Sequence, residues 1–131
     1  MGPELLFTAV GVLLIAIGWP LAARRVAPNR WYGLRLPATF ADRQVWYDAN
    51  ALAGRDLVAL GVLLVLLALG LPALTGLRGS GLAVVAAAVA IVGSMMITVR
   101  GWRAANRLLR HRRAEAAAGS SAPTAGPGDR R

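Results

Sequence analysis

Three stretches of this chain carry no charge: Leu5 to Ala23 (LLFTAVGVLLIAIGWPLAA), Leu57 to Leu74 (LVALGVLLVLLALGLPAL) and Leu82 to Val99 (LAVVAAAVAIVGSMMITV). Each runs 18 or 19 residues. At about 1.5 Å of rise per residue, a helix of that length covers roughly 27 to 28 Å, close to the ~30 Å hydrocarbon core of a bilayer. Lipid offers no partner to a backbone N–H or C=O, so such segments must satisfy their own hydrogen bonds as helices. The pattern predicts an all-α fold, a transmembrane helical bundle of three spans at about 5–23, 57–74 and 82–99. A secretory signal would open on basic residues and have a shorter apolar core. Here Glu4 is the only early charge, so the first run is expected to be a span.

The pattern breaks between spans one and two, over residues 24–56. Pro28 to Pro37 (PNRWYGLRLP) is predicted to be irregular: Pro28 disfavours helix at Ala27, and Gly33 tolerates a positive φ. Thr39-Phe40-Ala41-Asp42 has the spacing of a capping box, with Asp as a poorer third member than Glu. Beyond it, Ala41, Val45, Trp46, Ala49, Leu52 and Ala53 share one helical arc, while Arg43, Gln44, Tyr47, Asp48 and Asn50 share the other. The expectation is an amphipathic helix lying on the membrane surface, bending at Gly54 into span two. Two antiparallel spans need only a few residues to turn round, so an insert of about thirty residues has some other use.

Charge orients the bundle. The 131 residues are 56% apolar and carry a net charge of +9 from fifteen basic residues, all arginine. Mean hydropathy is +0.54. Fourteen arginines lie in the insert or after span three; only Arg78 lies in the other connection and none precedes span one. By the positive-inside rule the N-terminus is outside, and the insert and C-terminal segment are cytoplasmic. The absence of lysine beside abundant Ala, Gly and Arg suggests a GC-rich bacterial source, hence a bacterial plasma membrane. Trp19, Trp31, Tyr32, Trp46, Tyr47 and Trp102 fall on or near the cytoplasmic boundary, where amphipathic rings favour the headgroup level.

The candidate chemistry is sparse. With no cysteine and a single histidine, His111, a structural zinc site is excluded, and no cofactor is expected. No ionisable residue lies inside a span, which argues against an ion path or proton relay. Ala86, Ala90, Ser94 and Thr98 form a small-residue row suited to close helix packing, a job that Gly11, Gly18 and Gly61 also fit. Asp42, Asp48 and Asp56 have no His, Cys or Lys nearby to complete a nucleophile and base, so an enzyme is not expected. Arg100 to Arg113 (RGWRAANRLLRHRR) reads as a basic juxtamembrane helix, drawn to anionic lipid by about 1 kcal/mol per arginine near the surface. Nothing else in the chain supports nucleic-acid binding. Residues 114–131 are rich in small residues, Pro and Gly, and are expected to be disordered.

What remains is the insert. A generic interfacial helix repeats Leu with Lys or Arg and needs no such mixture of fixed turns, stackable rings and hydrogen-bonding groups. We therefore expect a constructed interaction surface from Asn29, Trp31, Tyr32, Gly33, Arg35, Thr39, Asp42, Trp46, Asn50 and Gly54, with Arg35 paired to Asp42 or Asp48 and the asparagines bonding loop backbone. The pattern Pro28-Asn29-x-x-x-Gly33-x-Arg35, then Thr39, Asp42, Trp46, Asn50 and Gly54, resembles the SdpI family of small bacterial multi-pass membrane proteins. The resemblance covers Pro28 to about Gly54 and the flanking spans. It implies immunity to a secreted, membrane-active peptide toxin, or membrane sensing with a cytoplasmic regulator as partner. The family's namesake is expected to have about six spans, so a three-span member implies either a reduced task or a homo-oligomer. A non-enzymatic scaffold or accessory subunit is the alternative, and a small transporter the third reading.

Overall fold

The computed structural model describes residues 2–120, which form four helices: α1 (Pro3–Ala22), α2 (Pro37–Ala41), α3 (Arg43–Thr75) and α4 (Gly79–Ser120). Among the described residues there is no strand. The three long helices are each apolar and long enough to cross a membrane. The chain is a multi-pass membrane protein built as a three-helix bundle, as the charge-free runs predict.

Each helix end has a local cause. Pro3 opens α1 at a position whose N–H has no partner to lose. At the other end the Arg24 N–H donates to the Leu21 carbonyl and the Arg25 N–H to the Pro20 carbonyl, both at 3.0 Å. That pairing closes the helix with Arg24 in the left-handed region at φ 56°, where glycine is the usual occupant. Asp42 starts α3 by accepting from the Gln44 and Val45 N–H groups. Gly76, at φ 72°, ends it. The turn into α4 is thus Gly76 to Arg78, and Gly79-Ser80-Gly81 is the first turn of α4.

The helices α1 and α3 run antiparallel in close contact. A Cβ on Gly11 would sit 2.6 Å from the Gly61 carbonyl oxygen, and one on Gly18 would sit 2.8 Å from that of Gly54. Both pairs are seven residues apart, two turns along each helix. Lipid tails are as apolar as leucine, so association here rests on backbone approach and van der Waals contact, which glycine permits. Gly54 therefore serves the α1 contact.

Three expectations are corrected. The amphipathic stretch does not lie apart from span two with a bend at Gly54: α3 is one helix of 33 residues, about 50 Å long, and its N-terminal turns run straight out of the apolar zone. The row Ala86-Ala90-Ser94-Thr98 is not a packing stripe along its length. Ala86 is buried, but Ser94 and Thr98 are exposed, and the Thr98 hydroxyl satisfies itself on the Ser94 carbonyl at 2.9 Å. The packed face of α4 is marked instead by Leu82, Ala86, Gly93 against Leu60, Gly101 and Ala105. Finally, α4 continues to Ser120, so residues 114–120 of the segment expected to be disordered are helical; residues 121–131 lie outside the described ones.

Helices α3 and α4, about 50 and 63 Å long, both exceed the hydrocarbon thickness, and their excess lies at the same end. There α3 and α4 pack on one another and on the insert. This end forms a cap with its own core of Ala38, Val45, Ala49 and Ala105, flanked by Leu34, Leu36, Leu108 and Leu109.

Candidate functional site: the cap

The insert is folded by side chains bonding to backbone. Asn29 makes the first turn: its amide Nδ2 donates to the Ala27 carbonyl at 2.8 Å, while its Oδ1 accepts from the Trp31 N–H at 2.9 Å and the Tyr32 N–H at 2.7 Å. That turn aims Tyr32 at α1, where its hydroxyl donates to the Ile17 carbonyl. Burial raises the Tyr32 phenol above its ordinary pKa of 10.0. Gly33 follows with φ 104°, and a Cβ there would lie 2.5 Å from Asn50 Oδ1. Both the dihedral and the space demand glycine.

Asn50 is the hub. Its Oδ1 accepts the Leu34 N–H at 2.5 Å and its Nδ2 donates to the Trp46 carbonyl at 2.9 Å, all with 2% exposure. It was expected on the polar arc of the helix. The loop folding over α3 buries that side, and an amide is tolerated because both ends are bonded. Trp46, fully buried, donates its indole Nε1–H to the Val26 carbonyl at 3.0 Å and packs at a tilt against Phe40, ring centroids 5.4 Å apart. It is a core residue and takes no part in an interfacial aromatic belt. Exposed Trp19, Trp31 and Trp102 remain for that role. Ala41, expected on the apolar arc, is exposed at the end of α2.

Thr39 and Asp42 divide the helix start differently from the predicted capping box. Thr39 is buried in the third position of α2, with its hydroxyl accepting from the Leu36 N–H at 2.9 Å and lying equally near the Leu34 and Leu36 carbonyls. Asp42 is itself the cap of α3, Oδ1 accepting from Gln44 N–H at 2.7 Å and Val45 N–H at 3.2 Å. Donation from the Val45 N–H is the main cause that holds the Asp42 carboxyl below its usual value; desolvation opposes it, and the Gln44 N–H and the Arg112 guanidinium add to the lowering.

Ion pairs tie the cap to each long helix. Asp48 meets Arg24, at the end of α1, at 2.5 Å; Asp42 meets Arg112 of α4 at 3.5 Å; Asp56 lies 3.5 Å from Arg100 of α4. One Asp56 oxygen is shielded from solvent and makes no hydrogen bond, so that last pair is a charge contact without bond geometry. Arg35 does not pair with Asp42 or Asp48 as expected, because Arg112 and Arg24 reach those acids first. Its guanidinium donates to the Arg30 carbonyl.

The ten candidate residues thus separate. Asn29, Tyr32, Gly33, Thr39, Asp42, Trp46, Asn50 and Gly54 build the cap and its joint with α1. Trp31, 92% exposed, and Arg35 stand outside it; with Arg30 and Phe40, Arg35 borders an open groove of about 500 Å³. Reasoning from the sequence missed Leu34, whose side chain fills the space left by Gly101 of α4, and the arginines Arg24 and Arg112 that bind the acids. Only Gly101, a small residue after a run of larger ones in α4, signalled the Leu34 seat. The arginine partners lie far off in sequence and left no signal.

The family profile described as SdpI/YfhL protein family matches residues 25–99, more than half of the chain. The chain belongs to that family. The match takes in the insert from Arg25 on, α2, α3 and the apolar part of α4. No curated protein and no solved structure matches the chain.

Proposed function

We propose that this SdpI-family protein is a membrane-embedded immunity or sensing protein, without catalytic activity, whose insert is the cytoplasmic readout. The observation that carries the reading is the triple attachment of one folded cap. Tyr32 reaches into α1, Arg24 and Asp48 join α1 to α3, and Asp42 with Leu34 joins the cap to α4. A ligand that alters the packing of the spans acts on the cap through those joints, provided that it binds the two arrangements with different affinity. Trp31 and Arg35, with Arg30 and Phe40, are the surface offered to a partner. The orientation rests on fourteen arginines lying at the cap end or beyond it in sequence against one at the other.

The test is deletion in the native host followed by challenge with that host's secreted membrane-active peptides. Sensitivity should appear, should be complemented by the wild-type chain, and should persist with Trp31→Ala/Arg35→Ala if the exposed surface matters. No sensitivity to any secreted peptide overturns the reading.

A scaffold or accessory subunit is the second reading, favoured by how much of the predicted surface is internal framework. Affinity capture from membranes separates the two: a constitutive partner, bound equally with and without the peptides, belongs to a scaffold.

A further inference from the structure

The seam between α3 and α4 changes chemistry along its length while keeping to one side of both helices. At membrane depth it is an apolar groove of about 390 Å³ that includes Leu60, Leu63, Ala88, Val89, Val92 and Met96, with no polar surface exposed in it. Past the end of the spans a second groove, of about 600 Å³, is bordered by Leu52, Arg100, Arg103, Arg107 and His111. At about 100° per residue, positions 89, 92, 96, 100, 103, 107 and 111 fall within an arc of roughly 100° on α4, so the two grooves follow one another along one side of that helix as a furrow.

The level of the change is set by the register. Gly18 faces Gly54 and Asp56 faces Arg100, which puts exposed Trp19 and Trp102 within about a turn of one another. Two solvent-facing indoles at one height mark the headgroup zone. The furrow turns from leucine and methionine to arginine at that height. Arg100 has Asp56 beside it, whereas Arg103 and Arg107 make no ion pair among the described residues. Their guanidinium groups are suited to bidentate contact with a phosphate.

We infer that this furrow seats one anionic phospholipid per chain, an acyl chain along Leu63, Val92 and Met96 and the phosphate between Arg103 and Arg107. An apolar groove alone would be covered by any lipid, and an arginine pair alone would attract any anion. Their continuity across the boundary selects a molecule that is both. The site is independent of any toxin or regulator. It narrows the general attraction of the basic helix for anionic lipid to a particular place.

Native mass spectrometry of the purified full-length chain, titrated with phosphatidylglycerol or phosphatidylcholine in mixed micelles, tests it. One phosphatidylglycerol should be retained per chain, at least tenfold in preference to phosphatidylcholine. Arg103→Gln/Arg107→Gln should abolish the preference, whereas Arg110→Gln/Arg113→Gln, which removes equal charge from residues that do not border this furrow, should change it less than twofold. Ala88→Trp, which fills the apolar half without altering charge, should weaken retention by a similar factor. Soluble glycerol phosphate should not displace the lipid. Equal losses from the two arginine pairs, an unaffected Ala88→Trp chain, or displacement by glycerol phosphate would each overturn the inference. Helical circular dichroism and melting of each variant confirm that the comparison is made on folded protein.

Discussion

Between α1 and α3, Gly11 meets Gly61 and Gly18 meets Gly54 with backbone against backbone. Around Trp46, at the other end of the same helix, the contacts are made by large and polar side chains: an indole on Val26, an amide bridging Leu34 and Trp46, a hydroxyl on Leu36. The two regions answer different solvents. In hydrocarbon, burying a leucine gains little over leaving it in lipid, so affinity comes from fit and a missing side chain is an asset. Beyond the bilayer, apolar burial drives packing and every buried polar group must find a partner. One helix, α3, serves both: glycines towards α1 and Val45, Trp46, Ala49 and Asn50 within the cap. The lesson is that the cap is attached to the bundle by continuity of α3 and by a few bonds, while the bundle is held by shape.

The strongest way to break this contrast is to put volume into the shape-held half. Gly61→Leu should force α1 away from α3 and cost about 3 kcal/mol or more, beyond ordinary overpacking because the obstacle is backbone. Equilibrium unfolding in mixed micelles measures it, and a cost below about 1 kcal/mol would mean that the helices are free to separate. Next comes the cap hub. Asn50→Leu leaves the Leu34 N–H without its partner and should cost about 1 to 3 kcal/mol, seen as faster proteolysis in residues 26–42 with the α1–α3 pair intact. Loss confined to the cap would sharpen the division; simultaneous loss of the bundle would erase it.

A pH titration should act on the cap alone. Asp42 has a folded-state pKa below its unfolded value, so the stability that its carboxylate contributes is present above about pH 4 and is lost as pH falls through the lower folded value. Tyr32 has its pKa raised, so its contribution is present below about pH 10 and is lost as pH rises through the folded value. Cap fluorescence should therefore change at the two extremes and hold steady between them. Asp42→Asn should flatten most of the acid limb, and an unchanged limb would place its origin elsewhere.

The smallest effect is expected at the α1 terminus. Arg24→Gly relieves a left-handed conformation worth about 1 to 2 kcal/mol but removes a partly exposed pair with Asp48 worth about 0 to 1 kcal/mol, leaving a net gain of about 0 to 2 kcal/mol. Arg24→Ala loses the pair without the relief and should melt lower than Arg24→Gly; the reverse order would mean that the left-handed conformation carries no strain at this position.

Much of this was legible beforehand because its causes are local. Eighteen uncharged residues have to be a helix in lipid, and Gly33 beside Asn29 has to be a turn. The direction of Asn50 was not legible. Helical periodicity placed it with Arg43 and Gln44, since periodicity knows only the helix's own angle and not that the chain from Asn29 to Leu36 folds back over that side. The fate of Asp42 and Asp48 was misjudged for the same reason: Arg35 is near in sequence, but Arg112 and Arg24 are near in space.

By itself the sequence determined the number of spans, the presence of a structured insert and the family, because each follows from composition and spacing within a short window. The tertiary structure alone decided which glycines meet and where the insert's aspartates pair. It also made most of the conspicuous insert residues framework, leaving Trp31 and Arg35 outside. Those are relations between segments twenty to seventy residues apart, and a residue's own chemistry says what it can bond but not what the fold will bring within reach.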